Sequence, residues 1–422
     1  MIAGEAPLVR QAHPVVFLFL IAPFGAMSGY LTVAVAYQLT QSGVGVDEVA
    51  ALVAASFIPQ TWKFLWAPIA DTTLTRKAWY LGAGLLSAFG IFLTGAVPAN
   101  AASLPSLYAI VILSNVAVTF LAMATESLLV YGSLPEEKGR AGGWFQAGNL
   151  GGTGLGGGLG LWLGQTLPAP WMAGAVLGVL CAACAAGLWF VPEPPRTRAV
   201  GNYGRMLLDV VRDLWHVVRS RAGTLALLIC FLPIGTGAAS NLWASVADDW
   251  HATANTVALA TGVMSGIVSA FGCLAGGYGA DRLDRKTAYA LYGLVMAVST
   301  VAMDFAPRTE TMYVVFTLIY AFIQGLTYAG FTAVTLEAIG VGAAATKYNV
   351  YASLSNMPIA YMTLVDGWAH ARWGTSGLLE IEAAIGVAAI GVFAAVVAIT
   401  RRLPWRGEGS ISAPDASTAR SQ

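Results

Sequence analysis

Apolar runs of about 20 residues recur along the whole chain, divided by short breaks that hold most of the charge and turn-forming residues. A membrane-spanning helix needs about 20 mainly apolar residues. The pattern predicts twelve of them: 14–38, 49–70, 77–97, 104–131, 140–165, 170–191, 223–247, 255–279, 286–306, 311–338, 347–367 and 376–400. We number these spans 1 to 12. The longest internal break, 192–222, begins PEPPRTR and continues YGRMLLDVVRDLWHVVR. Its Tyr203, Met206, Leu207, Val210, Val211, Leu214 and Val218 fall on one face of an amphipathic helix. Such a helix is expected to lie along the membrane surface and to join two six-span bundles, 10–191 and 223–402. The Gly/Ser/Ala-rich stretch 403–422 reads as a disordered tail.

Composition agrees with a membrane protein. The 422 residues are 57% hydrophobic and 10% charged, against about 25% charged in soluble chains. Formal net charge is zero, so no bulk electrostatics point to nucleic acid. Nineteen of the 22 Lys and Arg fall in one alternating set of breaks, which places both termini in the cytoplasm. The N-terminus has no basic segment with a small-residue cleavage site, so no removable signal peptide is expected. Cys181, Cys184, Cys230 and Cys273 lie in apolar stretches, and His13, His216, His251 and His370 are dispersed without ligand spacing. No metal site, cofactor site or nucleophile–base set is expected, and therefore no enzyme.

The two sets of six spans repeat. APFG at 22–25 answers LPIG at 232–235, and ADTTLTRK at 70–77 answers ADRLDRK at 280–286. Glu126 answers Glu337, while Arg140 and Asn149 answer Lys347 and Asn356. The offsets stay near 210. Because six is even, the repeats are parallel, related by an axis along the membrane normal.

This repeat, with GGYGADRLDRK at 276–286, resembles the major facilitator superfamily and its loop signature. The resemblance covers about residues 10–402 and implies an all-α fold of twelve transmembrane helices in two parallel six-helix repeats. It also implies a gating and topological role for Asp71, Arg76, Lys77, Asp281, Arg285 and Lys286. Simple positive-inside charge is the other reading of those residues. KFLWAPIAD at 63–71 and LPEEKGRAGG at 134–143 resemble motifs of the peptide–acetyl-CoA transporter branch, which includes muropeptide permeases. Span 4 departs from those permeases: it reads ATESLLVYG, with Glu126 where they carry an Asp-Ala-Tyr type sequence.

Three ionisable residues stand inside apolar runs: Lys63, Glu126 and Glu337. A charge at such depth needs a partner or a wet cavity. Lys63 lies eight residues from Asp71 at the inner end of span 2, about 12 Å along a helix. It either pairs with Glu126 or Glu337, or faces the cavity and receives an anionic solute group. Glu126 is a candidate proton carrier. Among uncharged groups, Tyr30, Gln146, Asn149, Asn241, Gln324, Asn349 and Asn356 are placed to bind solute or to tie helices together. GNLGGTGLGGGLG at 148–160 is a surface of small residues for close helix approach. The resemblance implies a monomeric, proton-driven importer of a bulky organic solute in the bacterial inner membrane, working by rocking of the halves. Muropeptides are the first expectation, with acetyl-CoA-like or siderophore solutes as alternatives. A membrane sensor on a transporter scaffold is the rival class, and the lack of a sizeable soluble domain counts against it.

Overall fold

The computed structural model describes residues 12–66, 69–70, 73–132, 138–193, 227–228, 230–339, 351 and 353–402, with 208, 212 and 215 as isolated positions. Among them there is helix and turn but no strand. Eight helices of the described residues are long and apolar enough to cross a membrane, including Val16–Gln41, Arg76–Ala96, Pro170–Phe190, Ala254–Ala280 and Arg285–Asp304. Span 4 is Leu104–Gly132, span 5 begins at Lys138 and runs to Thr166, and span 10 is Glu310–Ile339. Nearly all of the predicted linker 192–222, together with Asp71, Asn349 and the tail 403–422, lies outside the described residues. So do the side chains of Asp281 and Glu337.

The repeated loop motif has a local physical meaning. The residue before the basic pair caps the next helix. Thr75 Oγ1 accepts from the Ala78 N–H at 3.1 Å, and Asp284 Oδ2 accepts from the Thr287 N–H at 3.0 Å. Each satisfies one orphan donor at the start of spans 3 and 9. Arg76, Lys77, Arg285 and Lys286 therefore begin helices on one face of the bundle, called here the basic face. We call the opposite face the far face.

The glycine surface is used as its spacing predicts, and on two sides. A Cβ on Gly148, Gly152 or Gly156 would strike the backbone oxygen of Leu18, Ala22 or Ala26 at 2.2–2.3 Å, so spans 1 and 5 touch backbone to backbone. On another side, a Cβ on Gly262 of span 8 would meet Gly158 at 2.6 Å. Three π-helical turns lie near these contacts: Tyr30–Val35, Leu155–Leu159 and Ala258–Met264.

Three predicted elements need correction. Span 2 is regular only over Val46–Trp62 and tightens to a 3-10 turn at Lys63–Leu65. Span 7 is not the continuous helix predicted at 223–247. It leaves the helix after Phe231, passes Gly235 and Gly237 with φ of +57° and +71°, and continues as 3-10 turns at Ala238–Leu242 and Ala247–Trp250. Its counterpart in span 1 stays helical through Pro23. The aligned residues differ: Gly25-Ala26-Met27 stands against Gly235-Thr236-Gly237. The second glycine allows a second left-handed residue where methionine does not. The predicted break between spans 11 and 12 is also too long. The chain is helical over Asn356–Arg402 except at Gly374, where φ is +68°, so the two spans form a helical hairpin.

The halves meet at the far face. A Cβ on Gly367 of span 11 would lie 2.3 Å from the Ala50 Cβ of span 2 and 3.1 Å from the Asp47 Cα. Gln41 Nε2 at the end of span 1 donates to Asp248 Oδ2 at 2.7 Å.

Candidate functional site

In the first half, Lys63 Nζ lies 3.3 Å from Glu126 Oε1, and the side chains are 16% and 33% exposed. The pair is therefore partly wet. Span 2 is laced to span 4 around it. Gln60 Nε2 donates to Asn115 Oδ1 at 3.2 Å, and Trp66 Nε1 donates to Thr119 Oγ1 at 3.0 Å. Of the two arrangements open for Lys63, the structure has the ion pair with Glu126. Tyr30 is placed in packed core, 2% exposed, with its ring against Gly160 and its hydroxyl against Gly95. Gln146 is exposed and stands 3.5 Å from Asn149. Arg76 and Lys77 turn their backbone N–H groups toward the Glu193 carboxylate at 2.8 and 3.2 Å, and the Arg76 guanidinium reaches the Ala70 carbonyl at 2.5 Å.

The second half is organised by the broken span 7. A helix that unwinds inside a bundle frees backbone groups, which must find partners where no water does it for them. Tyr289, Thr327 and Tyr361 donate their hydroxyls to the carbonyls of Ile234, Gly235 and Phe231 at 3.2, 2.9 and 2.8 Å. Gln324 Nε2 reaches the Gly237 carbonyl at 3.4 Å and Ser240 Oγ at 3.3 Å. Asn241 Nδ2 donates to Thr363 Oγ1 at 3.0 Å, and Asn356 Nδ2 to the Ser353 carbonyl at 3.1 Å. Gln324 and Asn241, singled out from the sequence, thus both serve this break. A small cleft of about 50 Å³ opens beside it, lined by Thr236, Tyr289, Thr327, Tyr328, Ser355 and Phe331 among others.

Sequence reasoning missed a pair of acids on the hairpin. Asp366 is 0% exposed and Glu382 is 7% exposed. Each is eight residues from Gly374, so both sit about 12 Å below the turn, at one level on adjacent antiparallel helices. Glu382 Oε1 accepts the Tyr320 hydroxyl at 2.5 Å and the Ala239 N–H at 3.4 Å. Both Asp366 oxygens and Glu382 Oε2 are buried without a hydrogen-bond partner. The signal was present: Glu382 stands six residues inside predicted span 12.

Above the pair, at the far face, a polar cluster closes the hairpin. Asp249 Oδ2 lies 3.6 Å from His370 Nε2 and accepts the Thr375 hydroxyl. His370, the main cause, with Thr375 and Arg308 adding to it, holds the Asp249 carboxyl below the usual carboxylate range. Arg308 bonds Asp304 at 2.8 Å and Ser376 at 3.1 Å, and lies over the Trp250 ring.

Solved structures of similar fold include the nucleoside transporter NupG, at 12% identity and a TM-score of 0.70, covering 91% of this chain and 98% of that one. A D-xylose–proton symporter matches at 14% identity and a TM-score of 0.68, covering 90% and 96%. The inward-open xylose transporter XylE from E. coli matches at 15% identity and 0.66, covering 91% and 96%. At these identities the likeness is one of fold. No curated protein matches the chain. The family model described as Major Facilitator Superfamily matches residues 15–361. Spanning most of the chain, that match makes this protein a member of the Major Facilitator Superfamily, a multi-pass, twelve-span transporter and not an enzyme.

Proposed function

We propose that the protein is a proton-coupled importer of a bulky, anionic organic solute, with peptidoglycan-derived muropeptides as the leading substrate class. The observation that carries the reading is the Lys63–Glu126 pair: one ammonium, partly wet, in a span otherwise apolar around it. An ammonium so placed is a point-charge partner for a carboxylate or phosphate. A solute anion competes with Glu126 for Lys63, so binding opens the pair. Muropeptides join sugar rings to peptide carboxylates, which suits both this lysine and a fold shared with xylose and nucleoside transporters. The motifs KFLWAPIAD and LPEEKGRAGG support the same class, with acetyl-CoA-like and siderophore solutes as alternatives. The distribution of Lys and Arg supports a bacterial inner-membrane protein with both termini in the cytoplasm, working as a monomer. On that orientation the halves are closed at the periplasmic side, and residues 10–191 rock against 223–402 to open it. The gating role of Arg76, Lys77, Arg285 and Lys286 belongs to the same proposal.

The test is uptake of labelled anhydro-muropeptide into proteoliposomes. Removing a charged hydrogen-bond partner costs about 1.5–3 kcal/mol, so Lys63→Ala lowers uptake by about 10- to 100-fold. Unchanged uptake in a folded Lys63→Ala protein overturns the reading. A thermal-shift screen of purified protein against muropeptides, acetyl-CoA and siderophores decides among solutes, because a ligand of the folded state raises its stability.

A further inference from the structure

We infer that Asp366 and Glu382 form the proton-carrying site of this transporter, with the proton held on Asp366 and the charge on Glu382. The inference rests on the proton-coupled reading above and moves the coupling site from Glu126 to the second half.

Three oxygens of the pair are orphans. Both oxygens of Asp366 and Oε2 of Glu382 are buried and without a partner, and the two residues stand at one level on the two arms of the hairpin. Buried polar atoms without partners are rare, and two buried carboxylates side by side repel strongly. One proton on the pair removes the repulsion and leaves a single charge to be held. The two acids are not equivalent. Glu382 has two donors already aimed at Oε1, the Tyr320 hydroxyl and the Ala239 N–H, and donors favour the ionised form. Asp366 has none, so the proton belongs there.

Among the described residues no base forms an ion pair with either acid. Span 10 presents Tyr320, and the 3-10 turn of span 7 presents an N–H and uncharged side chains. Span 2 brings Asp47, another acid, against neighbouring Gly367. Asp304 of span 9 is held by Arg308. Arg308 bonds Ser376, six residues before Glu382, about 9 Å along the helix. His370, one turn beyond Asp366, turns to Asp249. On the pair's own element, Glu380 is exposed.

The position also supplies a gate. Gly367, next to Asp366, is the point where span 11 meets the first turn of span 2. Separating the halves at the far face uncovers the hairpin beside Asp366 and lets water reach it. The proton then exchanges with water on the open side, and no other bond changes. Closing the far face dries the pair again.

Infrared difference spectroscopy on the full-length, solute-free protein in proteoliposomes tests this without any knowledge of the solute. Wild type at neutral pH shows a carbonyl band from a protonated carboxyl. Asp366→Asn abolishes the band, because Glu382 then keeps its charge on its two donors. Glu382→Gln retains a band, shifted, from Asp366. Asp366→Glu restores one if Asp366→Asn folds poorly, and melting curves check each variant. A wild type with no such band, or a band that survives Asp366→Asn unchanged, overturns the assignment. So does sodium chloride, against choline chloride, raising the melting temperature in wild type but not in Asp366→Asn, which marks a sodium site instead. Failure of muropeptide uptake with a correct infrared pattern sinks the solute reading and leaves this one standing.

Discussion

Two charged pairs stand inside the membrane, and they differ in every respect that matters. Lys63–Glu126 joins opposite charges in the first half, where span 2 loses its regular helix near the basic face, and water reaches both partners. Asp366–Glu382 joins like charges in the second half, about 12 Å below the far-face turn, and is dry. In the first pair the two charges offset each other, and on the proposed reading a solute anion replaces one partner. The second pair carries a net charge that burial penalises, so it is suited to binding a proton. On the proposals above, one place responds to solute charge and another to protons, in opposite halves and toward opposite faces.

Charge reversal is the harshest way to break that contrast. In Lys63→Glu/Glu126→Lys the ion pair is rebuilt with its ends exchanged. If Lys63 receives the solute, the double variant melts like wild type but its uptake stays as low as in Lys63→Ala. Restored uptake makes the pair a structural tie and removes the solute site from the first half.

A smaller effect tests the backbone that supports the second pair. Gly237 has φ of +71°, and a Cβ there would lie 2.2 Å from Gln324 Nε2. Gly237→Ala costs about 1–3 kcal/mol, read as a lowered melting temperature. An unchanged melting temperature in Gly237→Ala contradicts the claim that the break in span 7 depends on this glycine.

Closure at the far face is tested by Gly367→Leu. Its side chain collides with Ala50, so cysteines placed at 41 and 248, in a background lacking the native four, cross-link less than without the substitution. Unchanged cross-linking separates the second pair from the gate.

The smallest effect is acidic. Asp249 has a depressed carboxyl, so its contribution is complete above the ordinary aspartate value of about 3.9 and is lost as pH falls through the lower folded value. Melting temperature therefore falls in wild type as pH drops below about 4, and the fall is shallower in Asp249→Asn. Parallel curves remove Asp249 from the far-face cluster.

Much of this was legible in the sequence. Apolar runs gave the spans, and the glycines at 148–160 gave a close helix contact, because both depend on local spacing. The Lys63–Glu126 contact was legible as one of two arrangements, since both residues lie about two turns from the same face. The break in span 7 was not. APFG and LPIG look alike, and the outcome turns on Gly237 against Met27 two residues later. Asp366 lies one residue from a predicted span end, where a charge is ordinary, and Glu382, six residues inside span 12, gains its meaning only beside it. Only the hairpin at Gly374 folds positions 366 and 382 to one level. Tyr30, read as a group that binds solute or ties helices together, lies packed between Gly95 and Gly160.

The division of labour between the pairs is tested most directly by comparing Asp366→Asn with Glu126→Gln in proteoliposomes loaded with anhydro-muropeptide. Exchange without a gradient and accumulation driven by a proton gradient are measured on the same preparations. Asp366→Asn is expected to keep exchange and to lose gradient-driven accumulation. The reverse result, with accumulation intact in Asp366→Asn and lost in Glu126→Gln, contradicts it and returns the proton to the first half.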